Sequence, residues 1–375
     1  MDRVYQANVS ATPPTPPSPG AHGHVQSDVP HPLQATVPPT TPGPWIFHYV
    51  TESFMRVIEA AGLTPDATNL HQLADAVVAL ASAPARAPLD ALSVQPAMAF
   101  STRLLLIDYG GACMRVRRSS DNSEMDIGFA RGTVDTAALL AFVGSGNGYI
   151  TNWYNQTGSG IDAVQANASA QPLIVESGAV LEIGGFPAAL FSTANGLVFN
   201  NAAGARLDFS LGAVFATTQS NGQTSTGLGY QVSGFLYADT SGSSRDFGFG
   251  NLGNTLTLWE GGAGDDLGPE TGVRGATVIN DGALHVGICR RTSTSGAVDV
   301  YLDGSLQASG TAARGERSDA AFCRIGSGGA GDGYAVNTSP FPAAFSTPEI
   351  LVYASRLSDA DVELLQAAQA AYHGG

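Results

Sequence analysis

The sequence predicts a mainly β protein: a sandwich or jelly roll preceded by an extended segment and a helical hairpin. Three observations carry this. Charged residues make up 13% of the 375 residues against 43% hydrophobic, too few to solvate the outer faces of a helical bundle. Glycine is abundant, at 46 residues, which suits a chain that turns often. From about residue 89 onward, short apolar runs alternate with Gly, Asn, Asp and Ser clusters, the signature of successive short strands.

Taken in order, residues 1–44 are an extended, Pro-rich segment. The tract Thr12-Pro13-Pro14-Thr15-Pro16-Pro17-Ser18-Pro19-Gly20 and the pair Pro38-Pro39 favour polyproline II and offer little to bury. Ordering such a segment takes a partner surface. Residues 45–82 read as a helical hairpin. Phe47, Val50, Phe54, Val57, Ile58 and Ala61 recur at helical spacing, with Gly62 as a C-cap. Leu63-Thr64-Pro65-Asp66 is a turn, and Leu70, Leu73, Val77 and Leu80 share a face of the second helix. A hairpin this short holds no stable core alone and is expected to pack against copies of itself or a platform. Residues 83–99, opening Ala83-Pro84-Ala85-Arg86-Ala87-Pro88, read as a linker.

Residues 100–375 are expected to form the sandwich. Strand candidates include Met114–Arg117, Leu181–Ile183, Val198-Phe199, Ala205–Phe209, Leu256–Trp259, Leu284–Ile288 and Val298–Leu302, the last followed by the hairpin signal Asp303-Gly304. Ser358 with Asp361 caps a terminal helix that places Val362, Leu365, Ala368 and Tyr372 on one face.

Net charge is −15 and all 17 basic residues are arginine. An acidic chain without a basic cluster is repelled by phosphate backbones, so no nucleic-acid partner is expected. No apolar run reaches the length of a membrane span, so no membrane insertion is expected. The start, Asp2-Arg3 running into prolines, does not read as a signal peptide. Cys113, Cys289 and Cys323 match no zinc spacing and read as small buried hydrophobes; Cys289 and Cys323 can pair only if their strands are neighbours.

Two stretches resemble known families. Tyr5-Gln6-Ala7-Asn8, the Thr/Pro tract, Pro44-Trp45-Ile46-Phe47-His48-Tyr49-Val50-Thr51-Glu52, Val57–Asp66 and Asn69-Leu70-His71-Gln72-Leu73 resemble the start of bacteriophage tail-fibre proteins. There the segment joins a variable distal domain to the particle. The resemblance implies a virion protein of a phage tail, attached to other tail proteins through residues 1–82, built as a homotrimer, and binding a host surface glycan or receptor. Met114–Asn122, Asp126–Phe129 and Trp153-Tyr154-Asn155-Gln156-Thr157-Gly158 resemble the catalytic domain of fungal arabinofuranosidase B and its phage-borne relatives. Val298–Gly304 and Glu349–Tyr353 with the final helix resemble laminin-G and concanavalin-like domains. Together they imply a concanavalin A-like jelly roll with lectin-like glycan binding. The family usually has Trp-Tyr-Asp-Gln-Ser-Gly, whereas position 155 is Asn and 157 is Thr here; its vicinal cysteine pair and nucleophile motif are not found. On that ground the chain is expected not to be an enzyme. The alternatives are a virion-borne glycosidase and a purely structural connector.

The candidate residues follow. Trp153, Tyr154, Asn155, Trp259 and Glu260 are the expected ligand-binding set, because aromatics beside polar groups suit a sugar ring. Glycoside hydrolysis needs two carboxyl groups, and Glu260, Asp265, Asp266, Glu270 and Asp332 lie near Gly-rich loops; the plainer reading is solvated acidic turns. Asp265, Asp266 and Asp332 are also candidates for Ca²⁺, which takes oxygen ligands, against the same plain reading. His22-Gly23-His24 puts both imidazoles on one side of an extended strand, so a parallel trimer would gather six around a transition metal; the alternative is two solvated histidines in a tail. Trp45, Phe47, His48, Tyr49 and Phe54 are the expected attachment or oligomer contacts, a reading that overlaps with hairpin core. Arg115, Arg117 and Arg118 are expected to pair with Asp121, Glu124 and Asp126.

Overall fold

A computed structural model describes residues 44–60, 63–66, 69, 71–82, 88–223, 231–239, 245–261, 271–328, 339 and 342–373. It divides the chain into two units, Met1–Pro84 and Ala85–Gly375.

In the first unit, helices α1 (Pro44–Ala60) and α2 (Gln72–Ser82) form the expected hairpin. Gln72 closes the connection: its Nε2 donates to the Thr64 carbonyl at 2.6 Å and its Oε1 accepts from the Asp66 N–H at 2.7 Å. Ile58 and Ala76 are fully buried, while Val50, Phe54 and Val77 are 46%, 40% and 52% exposed. The hairpin thus leaves part of its apolar surface uncovered. The side chains of Trp45, Phe47, His48 and Tyr49, and the Gly62 cap, lie outside the described residues.

The second unit is an antiparallel sandwich. One layer runs, in hydrogen-bonded order, through Met98–Ser101, Phe345–Tyr353, Phe209–Ala216, His285–Arg291, Ala297–Leu302 and Ser305–Thr311. The other runs from Thr271–Val278 through Thr255–Glu260, Phe247–Leu252, Ser233–Tyr237, Phe322–Ile325, Leu197–Asn200, Ala163–Val164 and Gly148–Trp153 to Met114–Arg118 and Glu124–Ile127. Leu173–Glu176 and Ala189–Phe191 bridge Gly148–Trp153 to Phe345–Tyr353, which joins the two layers on one side. Aromatic pairs fill the space between them: Phe215 meets Phe235 at 4.3 Å, Phe235 meets Phe345 at 4.8 Å, Phe209 meets Phe247 at 5.2 Å and Phe100 meets Phe199 at 5.3 Å between ring centroids. Burying such rings is the main apolar stabilisation. Asp303 and Gly304 both take positive φ, 49° and 81°, the backbone of a two-residue hairpin turn.

Several expectations change. Residues 205–208 form no strand; the ladder starts at Phe209. Helix α3 (Thr136–Val143), capped by Asp135 accepting from Ala138 N–H, was not foreseen. Residues 88–99, expected as linker, are integral to the sandwich: Leu89 and Leu92 pack with Leu105, Leu351, Leu357 and Leu365, and Met98–Ser101 is a strand. All three cysteines are buried and free; Cys289 pairs with Leu211 and Val300, Cys323 with Phe199, so the two are not on adjacent strands. The terminal helix α4 (Asp359–His373) is held by Ser358 and by Asp361 accepting from Ser93. Its buried face carries Val362 and Leu365 but also Gln366, Gln369 and His373, a polar set that the apolar spacing did not reveal. Among the described residues no helix is long and apolar enough to cross a membrane.

Candidate functional site

The motif from Trp153 to Gly158 works as a clasp. Trp153 is fully buried against Phe100, 6.3 Å between centroids, so it is core and not a sugar platform. Tyr154 is half-buried and donates its hydroxyl to Asp126 at 2.6 Å; burial first, then this bond, push its pKa up to about 12. Asn155 accepts from the Ala99 and Thr157 N–H groups and donates to Ser159 Oγ and the Ala97 carbonyl. Gln156 accepts from Leu105 N–H and donates to the Ser101 and Arg103 carbonyls. These amides satisfy buried backbone groups along residues 97–105, the stretch that contains the strand Met98–Ser101. They pin the loop that follows, which turns at Gly158 and Gly160 with φ of 72° and 74°.

That loop delivers Ile161 and Asp162 to a cavity of about 550 Å³ whose other wall is Asn200, Ala202, Ala203 and Phe322. Asp162 is fixed by accepting from Asn155 N–H through Oδ1 at 2.9 Å. Ile161 and Phe322 are half-buried and Asn200 is exposed. Ala202 and Ala203 also border a second depression of about 440 Å³ that contains Leu207 and the Arg206–Glu316 ion pair, 2.8 Å apart. The furrow is the pair of depressions that adjoin at Ala202 and Ala203. It combines apolar side chains with a carboxylate and an amide, the mixed lining that polar ligands with apolar faces require. Asp162, Asn200, Ala203 and Phe322 come from three distant stretches and were not singled out in the sequence; only the Trp153–Gly158 motif pointed to this region.

Elsewhere, Trp259 is 3% exposed and packs with Val232 and Leu252, so it offers no surface to a ligand. Glu260 is fully buried beside Arg291, with Nε to Oε1 of 2.5 Å, and Arg317, with Nη1 to Oε2 of 4.0 Å. Burial pushes its carboxyl up to about 7 against the pull of both arginines. The structure therefore separates Glu260 from Trp153, Tyr154 and Asn155 in environment. The positions His22, His24, Asp265, Asp266, Glu270 and Asp332 lie outside the described residues, and among the described residues no group of three His, Cys, Asp or Glu side chains is placed to hold a metal ion. Arg115 pairs with Asp126 and Arg118 with Asp121, at 2.7 and 2.6 Å, whereas Arg117 turns to Gln171 and Asn122.

No family profile and no curated protein matches the chain. Solved structures do. A GH54 α-L-arabinofuranosidase soaked with a cyclic sulfate inhibitor is 18% identical, with a TM-score of 0.51, over 75% of this chain and 64% of the other. A point mutant of a GH54 α-L-arabinofuranosidase soaked with 4-nitrophenyl α-L-arabinofuranoside gives the same values. An arabinofuranosidase complexed with arabinofuranosyl-α-1,2-xylobiose is 18% identical, with a TM-score of 0.50 over the same shares. The chain spans 64% of the length of these proteins. At this identity the likeness establishes the fold, a sandwich shared with glycoside hydrolases.

This corrects the expectation that the chain is not an enzyme, since the fold is one on which glycoside hydrolases are built. The physical reason lies in the clasp. Asn155 and Thr157, whose departure from the family pattern argued against activity, hold a loop together, so their identity does not report on catalytic groups.

Proposed function

We propose that the sandwich recognises a host surface glycan on behalf of a tailed-phage particle, with residues 1–82 attaching it to other tail proteins as a homotrimer. The observation that carries the glycan reading is the furrow, where Ile161 and Phe322 offer apolar contact beside the fixed carboxylate of Asp162. The attachment reading is supported by the resemblance of residues 1–82 to tail-fibre starts and by the exposure of Val50, Phe54 and Val77 on a hairpin too small to bury them. Linked copies would raise a weak single-site affinity through avidity.

The test is binding of the full chain to intact host cells and to their purified polysaccharide. Wild-type protein is expected to bind, and Phe322→Ala to weaken binding about tenfold, the scale of losing one buried aromatic contact. Normal adsorption of particles that lack the protein would refute the role.

A second reading is glycoside hydrolysis, favoured by the sandwich shared with GH54 arabinofuranosidases. It predicts release of reducing sugar from the host polysaccharide; Glu260, enclosed between Arg291 and Arg317, reaches no substrate and is not its acid. A flat time course with folded wild-type protein would remove it.

A further inference from the structure

The furrow holds two polar atoms that have no partner among the described residues. Asp162 keeps Oδ1 on the Asn155 N–H at 2.9 Å, and no donor reaches its Oδ2. Asn200 keeps Oδ1 on the Ala202 N–H at 2.8 Å, and no acceptor meets its Nδ2. Asn200 is an exposed residue, and Asp162 Oδ2 is not shut off from solvent. Each side chain is thus fixed through one atom and open through the other. Asn200 pairs with Phe322 across the ladder, so amide and ring share one face of the sheet. An acceptor, a donor and an aromatic ring therefore line one depression. A sugar hydroxyl both donates and accepts, and the C–H side of a sugar ring meets the aromatic.

The furrow is also larger than one ring needs. Each depression alone, at about 550 and 440 Å³, has the volume of a small-molecule site. Apolar contacts recur in both: Ile161 and Phe322 in the first, and Leu207, 57% exposed, in the second. The junction is made by Ala202 and Ala203, whose side chains are single methyl groups. Charge narrows the ligand further. Arg206 in the second depression is held by Glu316 at 2.8 Å and by the Ser318 carbonyl at 3.3 Å, so its charge is already met. Asp162 has no cation beside it among the described residues, and its open carboxylate repels acidic sugars.

We propose that the furrow takes an internal stretch of a linear, uncharged glycan, several sugar units long, lying through both depressions. This rests on the reading of the furrow as the glycan site and adds which part of the glycan it holds. A site for a chain end closes around that end, whereas two adjoining open depressions let a chain enter and leave.

Calorimetry with the full chain tests this. The probes are fragments of the purified host polysaccharide, cut by partial acid hydrolysis and sorted by length and by charge. Affinity for neutral fragments is expected to climb from single sugars to oligomers and to level off once both depressions are filled. The intact polymer should bind in proportion to its mass and not to its number of ends. Leu207→Ala should weaken oligomers about fivefold, the scale of one apolar side-chain contact, and so narrow their advantage over single sugars. Asp162→Asn keeps the oxygen that the Asn155 N–H needs and should admit acidic fragments. The proposal is overturned if single sugars bind as tightly as oligomers, if the wild type binds acidic fragments as well as neutral ones, or if Leu207→Ala leaves oligomers unaffected. Those results would leave the furrow standing as the glycan site. If no fragment binds, or if Phe322→Ala changes nothing, the furrow reading itself fails and the proposal falls with it.

Discussion

Glu260 and Glu349 are the same residue type, fully buried in the same sandwich, and each faces arginine. Their carboxyl groups move in opposite directions, Glu260 up to about 7 and Glu349 down to about 2. Burial pushes both upward; at Glu349 the charge of Arg103, together with hydrogen bonding, outweighs burial, and at Glu260 the pull of Arg291 and Arg317 does not. Glu349 accepts from Arg103 Nε at 2.7 Å and from Gln369 Nε2 at 2.9 Å, with His373 Nε2 at 3.9 Å. Glu260 has close cations but no well-directed hydrogen bond to either oxygen. The guanidinium of Arg291 spends its terminal N–H groups on the carbonyls of Leu207, Ala313 and Gly315, and that of Arg317 on Gly261 and Arg314. A nearby opposite charge does not replace hydration unless donors are aimed at the carboxylate.

The sharpest way to break this comparison is Glu349→Ala. It leaves Arg103 buried without a counter-charge and is expected to cost about 3–5 kcal/mol, read as a large fall in Tm and in the urea midpoint. A loss under about 1 kcal/mol would show that the pair is not holding α4 to the sheet.

The pH profile comes next. Glu349 is depressed on folding, so its contribution is present above its unfolded value near 4.5 and is lost as pH falls from there toward about 2. Glu260 is raised on folding, so the folded chain keeps a proton that the unfolded chain releases, and stability falls as pH rises from about 4.5 to about 7. Each change is up to roughly 3 kcal/mol by linkage. From these two groups stability peaks near pH 4.5, and Glu260→Gln should flatten the descending limb above it while leaving the acid limb unchanged. An unaltered limb above pH 4.5 would mean that Glu260 is ionised throughout.

The smallest expected effect is Glu260→Gln at pH 7. Burial pushes the Glu260 carboxyl up toward the neutral form that the amide mimics, so this substitution is expected to cost less than Glu349→Ala. A loss as large as that of Glu349→Ala would erase the distinction between the two sites.

Much of the scaffold was readable from the chain. Alternating runs such as Val298–Leu302, the Asp303-Gly304 turn, the Ser358 cap and the two N-terminal helices are local patterns, and local backbone preference is written in adjacent residues. Trp153 and Trp259 show where this reading stops. Their sequence neighbours suggest sugar platforms, yet both are core, because an aromatic beside a polar residue looks alike in a cleft and between layers until burial is known. Asn155 likewise read as a weakened family signature and proved to be the clasp of a loop.

By itself the sequence determined a strand-rich chain with a short helical leader and a capped final helix, since these follow from spacing and turn chemistry within a few residues. Only the tertiary structure decided which side chains meet. It brought Asp162, Asn200 and Phe322 to one furrow and Gln366 to the wall of a cavity at the Asp303 turn, and it moved the carboxyl groups of two buried glutamates in opposite directions. Those outcomes depend on distances between residues far apart in the chain and on which donors point at which acceptors, and neither is encoded in any single stretch.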